Sequence, residues 1–447
     1  MSELLELATL VAGWARHGEQ VEAYVGRRSD TDVVVYDGDI ESLSSATSEG
    51  VGIRVVAGGR QGFAYAGSLD VDVVEETLAE ARDNAAFGTP DEHLGLAAPD
   101  GVAAADLDLW RDDLASFPTQ AKIDLAFELE RRVKAGDSRI RSVESSNYGD
   151  GASESAVVTS TGISATTRRT GCHVSAYALA GDGDETQTGG GYSVGRSPAD
   201  LDVEEAAADA VERSTRLLGA SKPPSARLTV VLDPRITTTI LAILAGTLNG
   251  ESVLKGRSLF ADRVGEDVAA PSLTLVEDPT NPDAFGASAY DAEGLACRRN
   301  VLISGGTLVG FVYNTYAGRR AGTPSTGSAV RGGFKSAPGV GCRALSLAPG
   351  VHSQAEIMAQ VGDGLLVQGI SGVHSGVNPV SGDFSVGAEG LMIRDGTLAE
   401  PVREITIAST LQRMLHDVVA VGDDLEWLPG SAAGVTVAIA DMSMSGA

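Results

Sequence analysis

The chain is poor in the residues that build disulfide frameworks and metal cages. Its 447 residues include three cysteines, Cys172, Cys297 and Cys342, which lie far apart and form no CxxC pair. An odd number of widely spaced cysteines argues against a disulfide framework and against a zinc cage made of cysteines. A small, disulfide-stapled protein class is therefore excluded.

Basic residues are also scarce, and long apolar runs are missing. Lysine and arginine number 34 against 61 aspartates and glutamates, which leaves a formal charge of −27. Such a chain repels phosphate backbones, so we expect no nucleic-acid partner. No run of about 18 apolar residues occurs, and the acidic start Met1-Ser-Glu lacks the basic segment of a signal peptide. We therefore expect a cytoplasmic protein without a membrane partner.

Histidine is rare and does not occur in a local metal-binding motif. The six histidines are His17, His93, His173, His352, His374 and His416. None is followed directly by glutamate, so the HExxH and HExxxH patterns of zinc proteases are absent. The sequence thus predicts no local zinc site, and ligands scattered through the chain remain the alternative.

What the chain does have is a pattern of mixed helices and short strands. Apolar periodicity and stop signals predict a first helix capped by Ser2 and ended by Gly18. Five short strands follow between residues 21 and 66, separated by turn signals such as Asp37-Gly38. The remaining predicted helices share an apolar face or a capping residue, and they cover residues 71–86, 118–135, 197–218, 237–248, 354–361 and 410–415.

These elements predict an α+β protein of two domains. Residues 1–219 combine helices with an antiparallel sheet, whereas residues 227–447 are mainly β with few helices. Residues 220–226 contain the pair Pro223-Pro224 between a long helix and a clean strand, which is typical of a linker.

The densest polar cluster lies between Ser371 and Ser385. It combines His374, Asn378 and Asp383 with glycines that allow another backbone to approach closely. One interpretation is a loop stabilised by its own hydrogen bonds, and the other is part of a peptide-binding groove. The three polar side chains are therefore candidate substrate-binding residues.

Several segments, in order over nearly the whole chain, resemble the TldD/PmbA family, also called the "modulator of DNA gyrase" family. The resemblance is closest to its PmbA (TldE) branch. The segments that carry it are Glu22-Ala-Tyr-Val, Gly50-Val-Gly-Ile-Arg-Val, Gly256-Arg-Ser-Leu-Phe-Ala-Asp-Arg-Val-Gly-Glu266, Asn300-Val-Leu-Ile-Ser-Gly-Gly-Thr-Leu-Val-Gly310, His374-Ser-Gly-Val-Asn-Pro-Val-Ser-Gly-Asp-Phe-Ser385 and Val419-Ala-Val-Gly-Asp-Asp-Leu-Glu-Trp427.

The resemblance implies a metalloprotease family whose TldD branch carries HExxxH on a helix and a further cysteine ligand near the C-terminus. In this sequence the six motif positions correspond to residues 241–246. Leu241 and Gly246 stand where the histidines would be, and Ala242 stands where the general base would be. No cysteine follows Trp427. The resemblance therefore implies no metal and no catalytic residue in this chain, and an apolar helix in place of the motif.

By resemblance, the chain is then the non-catalytic partner of a zinc-bearing TldD-type subunit. The pair would form a heterodimer that encloses a protease chamber for unfolded peptides, in the way that family members mature or degrade peptides. Zinc is expected in the partner and no cofactor in this chain. Two alternatives remain: an independent metallo-hydrolase with dispersed ligands, and a regulatory binding protein of the gyrase-modulator type.

Overall fold

The structure, a computed structural model, describes residues 3–447 and confirms an α+β protein. Ser2, the predicted cap of the first helix, lies outside the described residues. The N-terminal half combines helices with one antiparallel sheet, and the C-terminal half is mainly β. Among the helices of the described part, none combines the length and the apolar character needed to cross a bilayer.

The N-terminal half consists of six strands, of which five are at least 11 residues long, and of helices that pack on the sheet. Its elements in chain order are α1 Glu3–Gly13, β1 Glu19–Tyr36, β2 Asp39–Ala57, β3 Arg60–Ala66, α2 Val71–Phe87, α3 Asp112–Ala115, α4 Thr119–Gly136, β4 Ile140–Thr159, β5 Ser164–Asp182, β6 Glu185–Gly195 and α5 Val203–Thr215.

The six strands form one antiparallel sheet in the order β3-β2-β1-β4-β5-β6. The prediction of five short strands before residue 67 was wrong, because residues 28–31 and 46–50 continue the ladder between β1 and β2. Strand pairing satisfies the backbone there, so polar side chains on exposed faces do not end a strand. The predicted helix 197–218 is also shorter, since Asp202 caps α5 and Pro198 begins a separate short 3₁₀ turn.

The C-terminal half contains short strands and helices around a larger sheet. Its elements in chain order are β7 Ala226–Leu232, α6 Pro234–Thr247, α7 Gly250–Leu254, β8 Leu275–Glu277, β9 Asn300–Ser304, β10 Thr307–Leu308, α8 Thr315–Ala321, β11 Ala329–Val330, β12 Gly339–Val340, β13 Leu345–Leu347, α9 Gln354–Val361, β14 Gly364–Ser371, α10 Val373–Gly376, β15 Asp383–Arg394, β16 Thr397–Thr410, α11 Leu411–His416, β17 Val418–Val421, β18 Glu426–Trp427, β19 Ala433–Gly434 and β20 Val437–Ser445.

The larger C-terminal sheet closes on itself like a barrel. Its order is β16-β15-β14-β7-β20-β17, and an additional pairing joins β16 to β20. The strands run antiparallel except for the neighbours β14 and β7. The pairing of β16 with β20 closes the sheet around an apolar core. Helix α6 contributes Leu241 and Leu244 to that core, and Leu248 follows at its C-terminal end.

Candidate functional site

The helix expected to carry the family motif is α6. Asp233 caps it by accepting a hydrogen bond from the backbone N–H of Arg235, and Pro234 occupies its first turn. Leu241 is buried in the C-terminal core. Ala242 and Gly246 are exposed, and a Cβ added to Gly246 would meet open space. The expected apolar face therefore includes only the first of the three positions.

These side chains do not fit a zinc ion. Leucine, alanine and glycine provide no nitrogen, oxygen or sulfur atom that could coordinate a metal or accept a proton. Within residues 3–447, no group of three or more histidines, cysteines, aspartates or glutamates is arranged to hold a metal. We therefore derive no catalytic step through a metal on this chain.

The predicted polar cluster lies on the surface of the C-terminal half. His374 is on α10, Asn378 is in the following turn and Asp383 begins β15, so the predicted loop is shorter than 371–385. All three residues are exposed. The side chain of Asn378 accepts hydrogen bonds from the backbone N–H groups of Val380 and Ser381, at 2.9 and 3.2 Å.

The cluster is thus stabilised from within. The carboxylate of Asp383 accepts a hydrogen bond from the hydroxyl of Ser381 at 2.6 Å, and the Asn378 N–H donates to the Asp383 carbonyl at 2.9 Å. The structure brings Asn378 and Asp383 together in one turn, and within the described chain His374 forms no side-chain hydrogen bond or ion pair. Peptide binding by these three residues remains a prediction.

A cavity that the sequence did not predict lies between the two halves of the chain. We call it the basic groove. One wall is the sheet face formed by β1, β4 and β5, and the other wall comprises residues 287–292, residues 331–335 and Arg343. The groove encloses about 870 Å³. This volume is typical of sites that bind a small ligand or a short chain segment.

The groove has a charge opposite to that of the whole chain. It is lined by three acidic residues, Glu3, Glu154 and Asp291. Its seven basic residues are Arg27, Arg28, Arg168, Arg169, Arg331, Lys335 and Arg343. Basic residues thus outnumber acidic ones seven to three here, whereas the chain as a whole has 34 against 61.

Four of the seven cations have no carboxylate partner within ion-pair distance among residues 3–447. Arg168 lies over the ring of Trp110 at 5.6 Å, and Lys335 lies over the ring of Phe334 at the same distance. Arg343 donates to the carbonyl of Ala329 at 3.2 Å, while its Nε is buried without a hydrogen-bond partner. The fourth is Arg169.

Desolvation and the clustering of cations in the groove lower the pKa of one of them, Arg169. Its side chain is accessible to solvent but surrounded by protein in the groove. Desolvation lowers the pKa of its guanidinium, and the nearby cations Arg343, Arg28 and Arg196 lower it further. Like charges held close together favour a bound anion, which would relieve their repulsion.

Buried carboxylates hold the groove's C-terminal wall in place. Glu277, at the end of β8, accepts hydrogen bonds from the backbone N–H groups of Arg343 and Ala344 at 2.8 and 3.1 Å. Asp291 accepts one from the N–H of Ala329 at 3.1 Å. Burial raises the pKa of both carboxyls, and it raises that of Glu277 to about 7. These contacts position the backbone from which Arg343 extends.

A buried ion cluster joins the two walls. The Arg331 guanidinium pairs with Glu22 of β1 and lies over the ring of Tyr24 at 4.6 Å. Arg54 of β2 bonds to the same Glu22 and, at 3.4 Å, to Glu293 of the C-terminal half. Two arginines and two glutamates balance each other there, so the cluster fixes one half against the other.

The outer edge of β2 is a further unoccupied surface. Strand β3 pairs only with Val51–Ala57 of β2, so in the described chain no strand pairs with residues 39–50 on that side. Residues 39–48 are exposed on both faces. A free strand edge presents backbone N–H and C=O groups to which an extended segment can add.

Sequence profiles of three PmbA/TldA metallopeptidase domains match this chain. Domain 1 matches residues 21–85, the central domain matches residues 112–218, and the C-terminal domain matches residues 225–446. The matches follow the family's domain order and leave short segments between them.

Individual relatives agree with the profiles. The metalloprotease PmbA of Escherichia coli is 27% identical over 449 residues, which cover 100% of this chain and 95% of that protein. The crystal structure of TldE from Thermococcus kodakarensis has a TM-score of 0.91 at 22% identity, with 99% of each chain covered. A protein of Bacteroides thetaiotaomicron described as a candidate modulator of DNA gyrase has a TM-score of 0.89 at 27% identity, with full coverage of both chains.

Proposed function

The chain belongs to the PmbA/TldD metallopeptidase family, and from this premise we propose that it is a non-catalytic, TldE-like subunit of a heteromeric zinc metalloprotease. Its partner is a TldD-type subunit that carries the zinc and the general base. Together the two chains enclose a chamber in which unfolded peptides are cut.

The observation that carries the proposal is the chemistry of α6. The helix is intact and capped, yet Leu241, Ala242 and Gly246 stand where the resemblance places the motif. A helix without ligands or a base still supports the fold around a chamber, because α6 packs on the C-terminal core. That combination suits a structural subunit better than a protease acting alone.

The free edge of β2 supports a role in handling peptides. An unfolded peptide that adds to residues 39–50 would form main-chain hydrogen bonds, which depend little on its side chains. Such binding suits a protease chamber that accepts many unfolded sequences. His374, Asn378 and Asp383 are further candidates for peptide contact on the other half of the chain.

Exposed apolar side chains in the C-terminal half support assembly with a partner. Val351 is 81% exposed and Val419 is 59% exposed. Their segments are neighbours, because the N–H of Gly350 donates to the carbonyl of Gly422 at 2.7 Å, just after β17. A partner that covers these two side chains would remove apolar surface from water. We therefore assign the subunit contact to residues after about Ala226.

Co-expression with a TldD-type chain that carries HExxxH tests the proposal. Metal analysis and a peptidase assay on each chain and on the purified pair should find zinc and cleavage in the pair and neither in this chain alone. One zinc per isolated chain, with cleavage abolished by a chelator, would favour an independent metallo-hydrolase. A chain that is inactive and never pairs would favour a regulatory protein of the gyrase-modulator type.

A further inference from the structure

We propose that the basic groove binds the carboxylates of a short acidic segment of a peptide. This inference rests on the proposed function for the peptide nature of the ligand, whereas its charge follows from the groove itself. Seven cations and three acidic residues line the cavity in a chain of net charge −27. Four of the seven cations lack a carboxylate partner within the described residues, and such a concentration in so acidic a chain is expected where an anion binds.

The cations lie on both walls. Arg169 extends from β5 towards the C-terminal half, from which Lys335 and Arg343 extend, whereas the adjacent Arg168 points to the opposite face of the sheet. Neutralising both walls takes an extended ligand with more than one negative group, because a single compact anion contacts only its immediate neighbours. A peptide with two or more aspartates or glutamates has that form, and guanidinium groups bind carboxylates with charge-assisted hydrogen bonds.

The groove also suits a peptide backbone. Ser153, Ser155 and Thr167 line the sheet wall. The hydroxyls of Ser155 and Thr167 bond to each other at 2.8 Å, which leaves one of their two donors and further lone pairs for a ligand. The volume of about 870 Å³ admits a short segment rather than a folded domain. The ligand we infer is therefore an acidic stretch of an unfolded chain.

A single-stranded nucleic acid fits the groove less well. Such ligands need aromatic rings on which their bases stack. The ring of Tyr24 lies beneath Arg331, and the ring of Phe334 is buried beside Lys335. Both rings are already covered by cations, and the −27 charge of the chain repels a long phosphate backbone.

Fluorescence anisotropy on the isolated full chain tests the proposal without any peptidase activity. The probes are a labelled peptide rich in Asp and Glu and its matched Asn and Gln analogue, at low and moderate salt. We expect the acidic peptide to bind at least about tenfold more tightly, and salt to weaken that binding. Equal binding of the two peptides would overturn the proposal.

Two pairs of substitutions locate the binding. Arg169→Gln with Lys335→Gln removes two exposed cations from the groove, and Lys222→Gln with Arg257→Gln removes two exposed cations elsewhere. The first pair should weaken binding of the acidic peptide about tenfold or more, and the second should leave it within about twofold. Equal loss in both pairs would mean general electrostatic attraction and would refute the site. The single variants Arg169→Gln and Lys335→Gln replace the first pair if it unfolds.

Competition experiments distinguish the sources of negative charge. Millimolar inorganic phosphate should displace the acidic peptide only weakly, since it does not reach both walls. Phosphate or a single-stranded oligonucleotide that binds more tightly than the acidic peptide would overturn the peptide assignment. These measurements use one chain and no zinc. Failure of the acidic peptide to bind would therefore not affect the partner-subunit proposal. Lack of peptidase activity in the co-expressed pair would not affect the proposal that the groove binds an acidic peptide.

Discussion

Arg331 of the C-terminal half and Glu22 of the N-terminal sheet form an ion pair whose charged atoms are 2.6 Å apart and whose side chains are 2% and 1% exposed. Arg54 and Glu293 complete a cluster without net charge. Burial opposes ionisation of Glu22, but the two arginines outweigh it and lower the pKa of that carboxyl. The two halves of the chain are therefore joined by a buried cluster in which the loss of any one charge leaves another charge unpaired.

Arg331→Met should strongly destabilise the fold. The substitution leaves two glutamates with one arginine in a buried site, and removing one partner of a buried pair costs about 3–5 kcal/mol. Urea unfolding measures the loss. Arg139→Met, in the exposed pair with Asp137, should leave the urea midpoint nearly unchanged, because solvent screens that pair.

The double variant Glu22→Gln with Arg331→Met should be less destabilised than the sum of the two single variants. It restores the charge balance, because Arg54 then faces Glu293 alone. Additive losses would mean that the four side chains do not act as one cluster.

The pH dependence of stability should reveal the buried carboxyl of Glu277. Burial raises its pKa from the ordinary 4.5 to about 7, so between these pH values the folded state binds a proton that the unfolded state has released. This group's contribution is complete below pH 4.5 and is lost as the pH rises through 7, by up to about 3 kcal/mol.

Glu277→Gln should therefore make the free energy of unfolding fall less, as the pH rises from 4.5 to 7, than it does in the unmodified chain. The difference between the two slopes is the quantity to measure, since the buried carboxyl of Asp291, whose pKa is also raised to about 7, contributes with the same sign in this range. Glu80→Gln, at an exposed position of α2, serves as the control and should leave the slope unchanged. Parallel slopes for Glu277→Gln and the unmodified chain would contradict the raised pKa.

Installing the family motif should cost stability at one position and create no protease. Leu241→His replaces a buried leucine and should cost about 2–5 kcal/mol. Ala242→Glu and Gly246→His lie on an exposed face and should each change stability by no more than about 0.5 kcal/mol. The triple variant still lacks the cysteine ligand, so tight zinc binding with peptide cleavage would contradict the prediction.

Local signals in the sequence predicted many elements because each depends on nearby residues. Ser353 and Glu356 form the predicted capping box at the start of α9. The predicted helices 71–86 and 118–135 agree with α2 and α4 to within one residue. Asp37 and Gly38 form the predicted turn between β1 and β2, both with positive φ.

Strand length and the basic groove could not be predicted in the same way. The polar segment Arg28-Ser-Asp-Thr31 suggested a break in β1, but pairing with β2 and β4 keeps it extended. The cations of the groove come from β1, from β5 and from residues 331–343, three segments that are far apart in the chain. The pair Arg168-Arg169 is evident in the sequence, but whether it lines a binding groove depends on which segment packs against β5.

Assembly with a TldD-type chain should depend on the exposed side chains of Val351 and Val419. Replacing both with lysine places charge on surface that a partner must desolvate, so the pair should form at least about tenfold more weakly, whereas the exposed side chains leave folding intact. A stable interface buries at least about 1,200 Å² in total, which makes the complex easy to follow by light scattering at micromolar concentration.

Phe87→Lys is the matched control, because Phe87 is 89% exposed but lies in the N-terminal half. Loss of pairing in the control, with no loss in the double variant, would place the contact in the N-terminal half instead. A chain that stays monomeric with every such partner would remove the support for a shared chamber.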